Sequence, residues 1–327
     1  MRHVVNWVWP LRRDDAAWDV PRHRLCTCTV LIALLIGFSA ACQPIRPVTP
    51  PATTPAVEPT VATAAPAEGQ LIDIGGRRLY LLCTGTGERT ILLEAGLNAG
   101  HEGWALVQPA ASRYGRVCSY DRAGIGLSDP APSPRTSAEI VADLHALVTA
   151  AELPGPYVLA GHSFGALHVR LYAAAYPEEV LGLVLVDPVH EDWWAQALAV
   201  LPPATADEAP LVAALRQDLA ASGGPPEANA EELDIAASAA QVRATGDLGR
   251  LPLIVMTAGV PDLLPPGLPA EVQEPLVTLL QRELPQDLAQ RTPNSLLLTV
   301  PGSGHDIPRQ QPDVIVAAIK TVVELEP

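Results

Sequence analysis

A chain of 327 residues that is 48% hydrophobic, with a formal net charge of −15, has material for a large buried core and a surface that repels polyanions. Nucleic acid is thereby excluded as a partner. The acid is concentrated late: Glu191 to Asp287 carries fifteen Asp and Glu against four Arg, which reads as a solvated, solubilising face.

The chain begins with an export pattern. Arg22, His23 and Arg24 precede Leu25–Cys42, an uncharged run built around Val30–Ile36 and closed by the small residues Ser39, Ala40 and Ala41. Cys42, directly after them, fits a bacterial lipoprotein site, although Ser39 stands where a leucine is usual. An uncleaved membrane anchor and plain secretion are the alternatives, and all three place the rest of the chain outside the cytoplasm. Pro44–Pro66 is rich in proline without apolar periodicity and reads as an extended tether. The expected organisation is a signal over 1–42, a tether over 43–69 and a folded domain over 70–327. Of five cysteines, only Cys83 and Cys118 then fall in the folded part, an even number in an oxidising compartment. No Cys/His cluster has metal-ligand spacing, so no metal is expected.

From Gln70 the pattern turns regular. Leu71–Ile74, the Gly75-Gly76 turn and Arg77–Leu82 predict a hairpin. Thr90–Leu93 and Arg116–Tyr120 are short strands that end in glycine loops. Thr136 with Glu139 makes a capping box for a helix whose Ile140, Leu144, Leu147 and Val148 share a face. The Tyr157–Ala160 strand leads into Gly161-His162-Ser163-Phe164-Gly165, and Ala166–Tyr172 reads as the helix that follows. Leu181–Val186, Leu253–Thr257 and Ser295–Val300 read as strands apolar on both faces, and Pro312 opens a last helix with Ile315, Ile319 and Val322 inward. Strands alternating with helices and apolar throughout predict an α/β fold: a mostly parallel eight-stranded sheet with helices on both faces and an antiparallel edge from the hairpin. Between about 189 and 249 the strand signal vanishes, which predicts a helical cap inserted after the sixth strand.

A G-x-S-x-G between strand and helix is the pattern of a nucleophile elbow: the turn is so sharp that both flanking positions must be small, and it lifts the serine hydroxyl above the sheet. Leu93–Leu97, Asp121–Asp129, this elbow, Leu183–Pro188 and Gly302–His305 occur in the order and at roughly the spacing of the α/β-hydrolase family, which the chain resembles from about Gln70 onward. The family's usual His-Gly after the third strand is Ala95-Gly96 here.

The resemblance implies a Ser-His-Asp site that needs no cofactor. Ser163 is the nucleophile, and His305, alone among eight histidines in following the last strand, is the general base. His162 adjoins the serine, but neighbours on such a turn point apart; His101 and His190 follow strands and are candidates to line a pocket, with structural roles preferred. For the acid, Asp262 stands just past the seventh strand, the family's usual place, and is preferred over Asp187 at the end of the sixth, a position some lipases use. The backbone N–H groups of Leu97 and Phe164 are the expected oxyanion donors. The family's sheet order also brings the strands of Cys83 and Cys118 side by side, which makes a disulfide possible. The activity so implied is an exported serine hydrolase of small carboxylic esters, held at the membrane through Cys42. Amidase, thioesterase, lactonase and C–C hydrolase chemistry on the same triad stay open, as does a catalytically silent envelope protein that binds a ligand. Enzymes of this fold that use an aspartate nucleophile are disfavoured, because Ser163 stands at that position.

Overall fold

The computed structural model describes residues 69–325, so the export pattern, Cys42 and the tether to residue 68 lie outside the described residues. The strands are β1 (Gln70–Asp73), β2 (Arg78–Thr84), β3 (Thr90–Glu94), β4 (Arg116–Tyr120), β5 (Tyr157–His162), β6 (Val180–Val186), β7 (Leu253–Ala258) and β8 (Ser295–Val300). They form one sheet in the order β1-β2-β4-β3-β5-β6-β7-β8. The pairs made by β2 are antiparallel and all later pairs are parallel, as the apolar patterning predicts.

Two cores follow from the two-residue period of the strands. Leu92, Tyr157, Leu159, Leu183, Leu185, Leu253 and Val255 face one side. Ile91, Leu93, Val158, Ala160, Val184, Val186, Ile254 and Met256 face the other. The helices are α1 (Gln108–Ala111), α2 (Ser137–Ala150), α3 (Gly165–Ala175), α4 (Trp193–Val200), α5 (Pro210–Ala220), α6 (Ile235–Arg243), α7 (Ala270–Thr278), α8 (Leu284–Gln290), α9 (Ile307–Gln310) and α10 (Pro312–Glu324). Helices α2, α3 and α8 cover the first side, with Leu144, Leu147, Val169, Tyr172 and Leu288 buried against it. Helices α1 and α10 cover the second through Ala111, Ile315, Ile319 and Val322. The capping box that starts α2 is present, with the Thr136 N–H donating to Glu139 Oε2 at 2.7 Å. Among the described residues no helix is long and apolar enough to cross a membrane.

Two expectations change. Strand β8 is an edge strand, and Leu296 and Leu297 are 48% and 38% exposed rather than buried. Its apolar composition resembles that of the central strands, but only β7 flanks it. The cap is also larger than the 189–249 insertion. Helices α4, α5 and α6 lie between β6 and β7, yet Leu215 and Leu219 of α5 share a buried cluster with Leu264, Leu268, Val272, Leu276 and Leu284, which come after β7. The cap core is thus built from two chain segments, one on each side of β7.

Cys83 and Cys118 are direct cross-strand partners of β2 and β4, with Cα atoms 4.1 Å apart, and they form a disulfide. Closing a loop over a separation of 35 residues restricts the unfolded chain and stabilises the fold by roughly 3–4 kcal/mol. Replacing both cysteines with alanine should lower the melting temperature by about 10 °C. Thiol titration of the denatured, unreduced wild type should find neither of these sulfurs; two free thiols there would contradict the bond.

Candidate active site

Strand β5 ends at His162 and helix α3 begins at Gly165, so Ser163 must turn the chain within two residues. It does so at φ +53°, in the left-handed region. The flanking glycines are required by contact. A Cβ on Gly161 would lie 2.7 Å from the Gly165 carbonyl oxygen, and one on Gly165 would lie 2.5 Å from that of Glu94. The turn is tied to β6 from both sides, since Ser163 N–H donates to Val186 O at 3.0 Å and Val189 N–H donates to Ser163 O at 3.0 Å. Ser163 is 7% exposed, and the β3–α1 loop lies against it, with a Cβ on Gly96 reaching within 3.1 Å of its own Cβ.

His305 stands in the loop after β8 and is held from three directions. Its ring Nδ1 lies 2.6 Å from Asp187 Oδ2. Its backbone N–H donates to Asp262 Oδ1 at 2.8 Å, and its carbonyl accepts from His162 Nε2 at 2.9 Å. A carboxylate only accepts, so Nδ1 carries the proton and Nε2 is left as the basic nitrogen. Asp187 is itself fixed: it follows β6 at φ +39°, and its Oδ1 accepts the Ala258 N–H at 2.7 Å.

The preference for Asp262 as the partner of the histidine ring is therefore corrected to Asp187. Both carboxylates reach His305, but from different strand ends. Asp262 takes the backbone N–H and packs on Gly304, where a Cβ would lie 1.9 Å from its Oδ2, whereas Asp187 meets the ring. His162, expected to point away, instead lies beside His305, with ring centroids 4.7 Å apart. Burial, and next the nearby His305, push its pKa down to about 3, so it stays neutral and acts as a donor to the loop. His101 and His190 have the structural partners preferred for them. The first bonds Asp121 at 2.8 Å and the second, 2% exposed, lies 3.0 Å from Asp287.

The loop after β3 makes a turn closed by Ala99 N–H donating to Gly96 O at 3.1 Å, with Asn98 at φ +61°. Leu97 and Phe164 thus sit on the two loops that flank Ser163, and among the described residues neither backbone N–H has a protein acceptor. Phe164 also immediately precedes the N-terminus of α3, where the helix dipole favours negative charge.

Arg122, in the Asp121–Asp129 stretch after β4, ties together several groups around the site. It is 2% exposed and donates to Glu94 Oε1 at 2.7 Å, and to the carbonyls of Ala95, Gly96 and Ala99 at 2.8, 2.6 and 3.2 Å. Burial alone would raise the Glu94 pKa. The Arg122 charge and the bonds from His168 and Tyr120 outweigh it and hold the carboxyl below its usual range. The partners of Arg122 lie 23 to 28 residues back and 109 residues ahead, so no local pattern marks it. Among the described residues no group of three or more His, Cys, Asp or Glu is placed to hold a metal ion.

The strand order, the elbow between β5 and α3, and a histidine after β8 bonded to a carboxylate after β6 define the α/β-hydrolase fold, and the chain has it. The family model described as alpha/beta hydrolase fold matches residues 89–217. The chain is similar to the uncharacterised protein YqjL of Bacillus subtilis, at 36% identity over 104 residues, 32% of this chain and 41% of that one. It spans about two-fifths or less of the length of the curated relatives it matches first. Among solved structures, a thermophilic esterase from Thermogutta terrifontis superposes with a TM-score of 0.52 at 22% identity, covering 78% of this chain and 97% of that one. The CarC enzyme, a serine hydrolase involved in carbazole degradation, superposes at 0.55 with 18% identity over 80% and 100% of the two chains. These likenesses concern the fold.

Proposed function

We propose that this protein is a serine hydrolase that cleaves small carboxylic esters through an acyl-enzyme. The carrying observation is the bond between His305 Nδ1 and Asp187 Oδ2, beside an elbow that holds Ser163 in the left-handed region. His305 takes the proton of the Ser163 hydroxyl as the oxygen attacks the ester carbonyl, then returns it to the leaving alcohol. Asp187 keeps the imidazole in the competent tautomer and stabilises it when charged. The N–H groups of Leu97 and Phe164 receive the oxyanion, each worth about 3 kcal/mol in the transition state. Water then attacks the acyl group by the same route. No cofactor takes part. The esterase and serine hydrolase that share the fold support this reading, and p-nitrophenyl esters of graded acyl length test it. Mixing with a good ester should release a burst of about one p-nitrophenol per chain before the steady rate. No turnover of any ester in the series would remove the assignment.

The same reading places the enzyme outside the cytoplasm, anchored by lipid on Cys42. The basic flank, apolar run and small residues before Cys42 support export, and the bond between Cys83 and Cys118 suits an oxidising compartment. In a bacterial host, metabolic labelling with a fatty-acid analogue should mark the wild type and leave Cys42→Ala unmarked. An unlabelled wild type would return the choice to an uncleaved anchor or secretion.

A further inference from the structure

The loop between α5 and α6 is part of the cap by chain position, yet it bonds the loop after β3 that lies against Ser163. Glu231 in this loop is 8% exposed. Its Oε1 accepts the backbone N–H of Asn98 at 2.5 Å and Arg122 Nη2 at 2.6 Å, and its Oε2 accepts Arg122 Nε at 2.7 Å. Arg122 holds the carbonyls of Ala95, Gly96 and Ala99. The Leu97–Asn98 peptide is thus gripped by this pair: the carbonyls of Gly96 and Ala99 on either side go to Arg122, and the N–H of Asn98 goes to Glu231. A left-handed Asn98 persists only where its surroundings over-determine it.

The same loop also touches the second donor. Leu233 and Ile235 are buried in a cluster with Phe164, against which Leu97 packs. The loop is seated on the core by Arg135 N–H donating to Glu232 O at 3.1 Å and Asp234 N–H donating to Arg135 O at 2.7 Å. A carboxylate buried this deeply is costly without compensation. Burial raises the Glu231 pKa, but the Arg122 charge, the Arg122 bonds and the Asn98 N–H outweigh it and keep the group ionised.

We propose that Glu231 is a positioning residue through which the cap sets the oxyanion hole, so that the Leu97 N–H is aligned on the reacting oxygen only while this loop is docked. The proposal rests on the serine-hydrolase reading for its effect on rate. Its effect on the loop stands without that reading. Glu231 does not touch substrate. It holds the Leu97–Asn98 peptide, next to the Gly96–Leu97 peptide whose N–H does.

Three variants test it, each measured at a temperature well below its own melting point. Glu231→Ala removes the acceptor of Asn98 and the charge facing Arg122. It should lower kcat for p-nitrophenyl ester hydrolysis by about 30- to 1000-fold with KM within threefold, because an oxyanion donor acts in the transition state and losing one outright costs 10²–10³. Glu231→Gln keeps an acceptor for Asn98 but loses the charge facing Arg122, so it should retain at least fivefold more kcat than Glu231→Ala while staying at least threefold below wild type, with exchange at 95–100 raised in between. Glu227→Gln, an exposed change in the same cap loop, should leave kcat and KM as they are. In parallel, amide exchange of the peptide covering 95–100 should rise at least tenfold in Glu231→Ala, while exchange across β5 is unchanged. A merely structural Glu231 would lower the melting temperature without this split between kcat and KM and without selective exchange, and that result overturns the proposal. If Glu231→Ala does not fold, Glu231→Gln carries the test: kcat and exchange both at wild-type level would overturn it. If the wild type turns over no ester, the function reading fails, and exchange at 95–100 alone decides whether the cap holds the loop.

Discussion

Ser163→Ala should lower ester hydrolysis by about 10⁵-fold and leave the fold unchanged. The magnitude follows from how a triad works: its members act as a unit, so loss of the nucleophile removes nearly all of their joint contribution and leaves only what binding and the oxyanion donors give. The stability should hold because the position asks only for a small side chain at φ +53°, and alanine meets that demand about as well as serine. The turn is held by backbone bonds of Ser163 to Val186 and Val189, which the substitution does not touch. A variant that keeps more than about a tenth of wild-type activity would show that another group attacks.

Asp187→Asn should cost about 10⁴ in kcat, and Asp262→Asn less than tenfold. Asp187 Oδ1 is fixed by the Ala258 N–H, so an asparagine there keeps its oxygen on Ala258 and turns its amide NH₂ toward His305 Nδ1. The ring must then accept at Nδ1 and carry its proton on Nε2, the tautomer that cannot take the serine proton. A loss of this order is typical when a triad aspartate becomes asparagine. Asp262 accepts a backbone N–H, and the oxygen of an asparagine at 262 can accept it equally. If Asp262→Asn proves the more damaging of the two at unchanged stability, the ring changes partner during the reaction and the assignment is wrong.

The parts legible in the sequence are those written in local pattern. Strands apolar on both faces and a leading hairpin gave the mostly parallel eight-stranded sheet, which the structure shows. The elbow was legible because its glycines answer to contacts within four residues and to the strand next door. The carboxylate was not, because Asp187 and Asp262 both follow a buried strand, and only the path of the His305 loop decides which meets the ring. Strand β8 was misjudged because composition records an apolar strand and not whether a neighbour flanks it. The second half of the cap was missed because α7 contains Pro275 and its buried positions answer to α5, far back in the chain. Arg122 and Glu231 were missed for a related reason. Their meaning lies in each other and in carbonyls that no spacing rule connects.

The central claim is that Ser163 is an activated nucleophile, and it is tested most directly by mass spectrometry of the site modified by a fluorophosphonate. The account predicts one adduct per folded chain, on the peptide that contains Ser163, with none on Ser163→Ala and far slower labelling of Asp187→Asn than of Asp262→Asn. A folded wild type that takes up no label, or that carries it on another residue, would contradict it.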